Sequence, residues 1–170
     1  MSIKQFNGEW VMREDRILFR FSTSDGKEFR FWLTRHVVRN LIQGCQQLEV
    51  QMLSQSHPQD VAQAMQEFKQ QSTSQQMNFS QAYESQPERP LGEEPALVIG
   101  LRIDQTGNQV SLDLETAAGH NVNLRITDEV LRMMVGLLDK IQLSAGWSSN
   151  EASEAQVSVT RPTPASPHIH

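Results

Sequence analysis

Residues 16–48 read RILFRFSTSDGKEFRFWLTRHVVRNLIQGCQQL, and residues 109–141 read QVSLDLETAAGHNVNLRITDEVLRMMVGLLDKI. The two stretches align without a gap. Five positions are identical: Thr23/Thr116, Gly26/Gly119, Thr34/Thr127, Val37/Val130 and Arg39/Arg132. The apolar positions coincide more fully. Ile17, Phe19 and Phe21 fall on Val110, Leu112 and Leu114, and Phe29, Phe31 and Leu33 on Val122, Leu124 and Ile126. Val38, Leu41, Ile42, Cys45 and Leu48 fall on Leu131, Met134, Val135, Leu138 and Ile141. Self-similarity of this kind marks an internal repeat.

The first two apolar groups of each stretch alternate with polar residues, the period of a strand with one buried face. Gly26 and Gly119 sit between the strands, where a hairpin turn needs positive φ. Thr34 and Thr127 then suit the N-cap of a helix, because a threonine oxygen accepts from the orphan N–H groups of the first turn. Asp128 and Glu129 favour the positive end of the second helix. The apolar residues that follow have helical spacing. One more strand precedes each hairpin: residues 9–13, leading through Glu14 and Asp15, and residues 96–103, leading through residues 105–108.

The fold expected is therefore α+β, from an internally duplicated β-β-β-α module. It would form two antiparallel sheets, or one continuous sheet, with helices packed about a pseudo-two-fold axis. The repeats span 1–55 and 96–147. Between them, 56–95 reads as a short helix opened by Pro58 and carrying Val61, Ala64, Met65 and Phe68, then a polar linker. Gln70 to Pro95 is rich in Gln, Ser, Glu and Pro, the composition of a disordered or loosely attached segment. Residues 148–170 read as a disordered tail, and His168 and His170 make a poor metal site on a floppy end.

Composition agrees. The chain has 170 residues, 38% of them hydrophobic and 21% charged, with a net charge of −5. A mean hydropathy of −0.49 reflects modules averaged with polar segments. No apolar run is long enough to span a membrane, and the N-terminus has no apolar signal core. A lone cysteine, Cys45, excludes an internal disulfide and a multi-cysteine zinc site. A cytoplasmic protein is the expectation.

Charge is uneven: +2 over 1–50, −4 over 51–95, −2 over 96–147 and −1 in the tail. Arg20, Arg35 and His36 of the first repeat correspond to Asp113, Asp128 and Glu129 of the second. Arg20 alternates with core residues, so it belongs to the face turned away from the core. Arg16, Arg30 and Trp32 share that face, with Trp10 on the strand before. The second repeat offers Ser111, Asp113, Glu115, Asn121 and Asn123 instead. Tryptophan and arginine anchor interfaces, so Trp10, Arg16, Arg20, Arg30 and Trp32 form the candidate binding set.

Catalytic signatures are missing. There is no phosphate loop, GxGxxG, HExxH, GxSxG or calcium loop. His36 and His120 read as surface residues. Cys45 lies on an apolar helical stripe and reads as a buried, inert thiol. Glu14/Asp15, Asp128/Glu129 and Glu93/Glu94 are sequence neighbours that point apart, and Met134 alone of the Met133–Met134 pair lies on a stripe. No cofactor or metal is expected, and the chain reads as non-enzymatic.

The function expected is protein interaction, regulation or assembly, with a protein partner or self-association, through the outer face of the first repeat. In layout the two strand-rich repeats, each ending in a helix, are similar to Whirly and PUR-repeat proteins. That likeness implies single-stranded nucleic acid held on a sheet face by basic and aromatic residues. The acidic balance opposes it, because a polyanion needs a stronger positive field.

Overall fold

Alternating residues of the first half build three strands: β1 (Ile3–Val11), β2 (Arg16–Thr23) and β3 (Glu28–Leu33). Helix α1 (Arg35–Ser56) follows. The second half repeats the order with β4 (Ala96–Thr106), β5 (Gln109–Thr116), β6 (Asn121–Thr127) and α2 (Asp128–Ser144). The computed structural model describes residues 2–56, 82–107 and 109–147. The short helix expected around Val61–Phe68, the linker as far as Gln81 and the tail 148–170 lie outside the described residues.

The fold is α+β, with one sheet rather than two. Its six strands run in sequence order, β1 to β6. Within each half, neighbours are antiparallel. The halves join where β3 and β4 run parallel, through Phe31 opposite Ala96 and Trp32 opposite Leu97. Of the two arrangements expected, the single continuous sheet is the one found, and it is mixed because of this one parallel seam. Both strands there carry apolar residues toward the helices, so pairing them closes the core across the seam.

Both helices lie on the face carrying Ile17, Phe19, Phe21, Phe29, Phe31 and Leu33 and their counterparts Val110, Leu112, Leu114, Val122, Leu124 and Ile126, all buried. Phe21 stacks on Phe29 at 5.0 Å and on Phe31 at 5.9 Å between ring centroids. Helix α1 adds Val37, Val38, Leu41, Ile42 and Cys45, and α2 adds Leu131, Met134, Leu137 and Leu138. Helix α2 touches β1 at one edge of the sheet and β6 at the other.

The packing crosses between halves. Helix α2 lies against β1 and α1 against β4. A Cβ on Gly8 of β1 would stand 2.6 Å from Ile141 Cδ1 and 3.5 Å from Leu137 Cδ2. A Cβ on Gly44 of α1 would stand 3.1 Å from Ile103 Cδ1 of β4. At one contact the sheet supplies the small residue, at the other the helix does.

The shared residues of the two halves do the same work. Thr23 and Thr116 accept from the N–H groups of Lys27 and His120 at 3.3 and 3.2 Å. Gly26 and Gly119 take φ of 81° and 80° in those turns. Thr34 accepts from Val37 N and Thr127 from Val130 N, each at 3.3 Å, which caps both helices as expected. Both leading strands also bulge at matching places, between Ile3 and Gln5 and between Val98 and Gly100.

Candidate functional site

On β2 and β3 the side chains away from the core form cross-strand rows: Leu18 beside Trp32, Arg20 beside Arg30, Ser22 beside Glu28. Strand β1 extends these rows with Glu9, Asn7 and Gln5. Arg16 stands half-buried at the end of the same face, and Trp32 is half-buried between its neighbours Leu18 and Leu97. So four of the five candidate residues, Arg16, Arg20, Arg30 and Trp32, share one face. Trp10 does not. It pairs with Ile17, so it points inward and packs against the core.

The outer face is occupied in part by the chain itself. The end of the supposed loose linker, residues 82–95, crosses it and turns at Arg89–Gly92, where the Gly92 N–H donates to the Arg89 carbonyl at 3.0 Å. The Gln5 side chain donates to the carbonyl of Glu84 and accepts from its N–H. The N–H of Gln86 donates to Glu28 Oε2 at 2.9 Å. The Glu28 N–H donates to the carbonyl of Glu88 at 2.8 Å, beside a parallel bridge between Lys27 and Glu88. Arg30 donates to the carbonyl of Glu93. Composition could not reveal this, because almost every one of these bonds is to main-chain atoms.

Two side chains of the segment add specificity. The Tyr83 ring lies under the Arg20 guanidinium, 4.6 Å from its carbon to the ring centroid. Arg89 Nε approaches Glu28 Oε1 to 3.7 Å, and Arg30 Nε approaches the same oxygen to 3.8 Å. Glu28 is only 1% exposed. A carboxylate this deep needs paired charge and hydrogen bonds, and two guanidiniums with one backbone N–H supply them.

The segment also resolves an electrostatic conflict. Arg20 and Arg30 stand directly opposite each other, and like charges so placed repel. Arg20 is offset by the Tyr83 ring and by Asn7 Oδ1 at 3.3 Å. Arg30 is offset by Glu28 and the Glu93 carbonyl. The fit is still incomplete. Ser22 Oγ, Glu28 Oε1, Arg30 Nε, Arg89 Nε and the Tyr83 hydroxyl are buried without a hydrogen-bond partner. Burial and the nearby Glu28 carboxylate push the Tyr83 phenol up to about 12.

The second half presents Ser111, Asp113 and Asn123 on the same side of the sheet. Asn123 donates to Ser111 Oγ at 2.7 Å and to Asp113 Oδ1 at 2.5 Å. Asn121 stands where Glu28 stands in the first half. Among the described residues, no three His, Cys, Asp or Glu side chains gather as a metal site. Glu28, Gln5, Tyr83 and Arg89 are the site residues that sequence reasoning missed. One signal pointed to them: Tyr83 is the only tyrosine of the chain, set in a stretch rich in Gln, Ser, Glu and Pro.

Compared with known proteins, the chain matches no family model, no curated protein and no solved structure. The chemistry of this face has to be read from its own residues.

Proposed function

We propose that this is a non-catalytic protein-interaction protein, regulatory or assembling, that binds a protein partner through the outer face of its first half. One observation carries the reading. That face already holds a polypeptide segment, residues 82–95, through Gln5, Glu28, Arg20 and Arg30. Groups arranged to satisfy main-chain N–H and C=O suit a polypeptide, the same physics by which extended segments add to sheets elsewhere. They do not suit a phosphate backbone, which needs cations left free for it. Arg20 and Arg30 are already engaged, and the chain carries a net −5.

The test is charge reversal. Arg20→Glu with Arg30→Glu, folding as judged by circular dichroism, should lower recovery of the partner captured from the native host and reduce native complex mass. Unchanged recovery and mass would defeat the reading. A gel shift with labelled oligonucleotides should show no retardation even at low salt. Retardation that weakens with salt and with these substitutions would favour a nucleic-acid binder instead.

We also infer that the two halves descend from one duplicated module. Supporting this are the matched turn threonines, turn glycines, helix caps and strand bulges. The crossed contacts of Gly8 with α2 and of Gly44 with β4 add to it. On this reading the outer faces diverged while the core was kept.

A further inference from the structure

We infer that the outer face of the first half is a peptide groove that residues 82–95 fill in cis. It takes in their place an extended partner segment bearing an aromatic residue and, six positions later, an arginine. The inference rests on the proposed reading that this face meets a protein.

The segment's own contacts define what the groove selects. Three of its anchors are blind to side-chain identity: Gln5 holds the N–H and C=O of residue 84, Glu28 holds the N–H of residue 86, and Arg30 holds the carbonyl of residue 93. These set direction and register only. Leu91 packs against the core and exposed Glu84 lies 4.0 Å from Lys4, but directional side-chain recognition on the face enters at two places. The Arg20 guanidinium lies over the face of an aromatic ring, an attraction that the ring quadrupole supplies and an aliphatic residue cannot. The Glu28 carboxylate, buried and flanked by Arg30, is met by the Arg89 guanidinium. Tyr83 and Arg89 are six residues apart in sequence. An extended segment with this spacing reproduces both contacts.

The contact between segment and sheet also shows why the cis segment can yield. Five buried polar atoms where the segment meets the sheet have no hydrogen-bond partner. Each such atom costs free energy that a better-fitting ligand recovers. On the core face of the strands in the same half, among the described residues, only the Trp10 indole N–H is comparable, and the groove residues Arg20, Glu28 and Arg30 sit on strands paired in continuous register. A partner must displace the cis segment, so its apparent affinity falls by the fraction of time the groove is open.

The test uses the full chain. A fluorescein-labelled peptide with the sequence of residues 82–95 is titrated by anisotropy into the Tyr83→Ala/Arg89→Ala variant, whose own segment is weakened at both side-chain anchors. Saturable binding is expected, at least tenfold tighter than to the wild-type chain. A peptide with alanine at both anchor positions should bind at least tenfold more weakly. No saturable binding, or equal binding of the two peptides, overturns the inference. If the double variant does not fold, Tyr83→Ala alone takes its place with the same readings. Failure here and failure of the broader reading are distinguishable. Should the peptide not bind while Arg20→Glu/Arg30→Glu still lowers partner recovery, the groove is wrong and the partner face stands. Should the peptide bind while partner recovery is unchanged, the groove stands and the partner face falls.

Discussion

Trp147 donates its indole N–H to Asp15 Oδ1 at 3.0 Å, joining the end of the second half to the first hairpin turn across 132 residues. The placement is built stepwise. Gly146 takes φ 72°, and the N–H groups of Trp147 and Gly146 fold back onto the carbonyls of Gln142 and Leu143. That pattern terminates a helix and reverses the chain, and it needs a residue free to adopt positive φ. Trp147 is thereby turned under the first half, buried to 8% exposure, with the Arg35 guanidinium over its ring at 5.4 Å. Arg35 also meets Asp15 Oδ2 at 2.8 Å. Trp147→Phe removes the bond and part of the buried indole. Thermal unfolding should show a loss of roughly 1–3 kcal/mol, one hydrogen bond plus the cavity left behind.

The same cluster carries a pH signature. Arg35 beside Asp15 holds its carboxyl below the ordinary value of 3.8, helped by the Trp147 indole and opposed by burial. The folded chain thus binds this proton less readily than the unfolded chain. The stabilisation is full above the ordinary carboxylate value and is lost as pH falls through the lower, folded one. Asp15→Asn should therefore be less stable than wild type at neutral pH. The difference should shrink below about pH 4. A gap that is constant across that window would contradict the assignment.

Reciprocal packing between the halves makes a prediction about volume. Gly44→Leu on α1 drives a side chain into Ile103, and overpacking of this kind costs about 1–3 kcal/mol. Ile103→Ala in the same chain should restore part of the loss, a coupling that a double-mutant cycle reads directly. Additive losses would mean that the two residues do not meet.

Cys45 is buried on α1, and burial pushes its thiol up to about 12, with the Glu49 and Asp128 carboxylates adding to the shift. The thiolate is the reactive form, so the native thiol should resist alkylation at pH 8. Reaction should become fast only in denaturant. Rapid native labelling would contradict its burial.

The modules were legible because their signals are local and repeated. Ile17, Phe19 and Phe21 alternate, Gly26 sits where a turn must reverse, and Thr34 stands three residues before the N–H it caps. The seam was not legible, since it rests on two parallel pairs, Phe31 with Ala96 and Trp32 with Leu97, that no periodicity encodes. The candidate face was read in part. Arg16, Arg20, Arg30 and Trp32 alternate with the core and do share a face, whereas Trp10 was misplaced. Inverting it takes only a register in which Trp10 faces Ile17, because a one-residue shift flips every side chain of a strand. Glu28 was passed over because a charged residue on an outer face is normally solvated. Its burial comes from residues 86–89, which composition marks as linker.

Glu28 also fixes the strength of that attachment. Glu28→Ala leaves Arg30 and Arg89 without their shared carboxylate and frees the Gln86 N–H. Breaking a buried charge pair from one side costs on the order of 3 kcal/mol, less here because both arginines can reach water.

Residues 82–95 cover the first half's outer face, so hydrogen exchange of the Glu84 and Gln86 amides reports directly on that cover. In the full wild-type chain both should exchange well below free-peptide rates, because Gln5 and Glu28 accept from them. In Glu28→Ala both should speed up while core amides such as those of Phe19 and Leu112 stay protected. Free-peptide exchange at Glu84 and Gln86 in the wild-type chain would mean that the segment does not lie on the face.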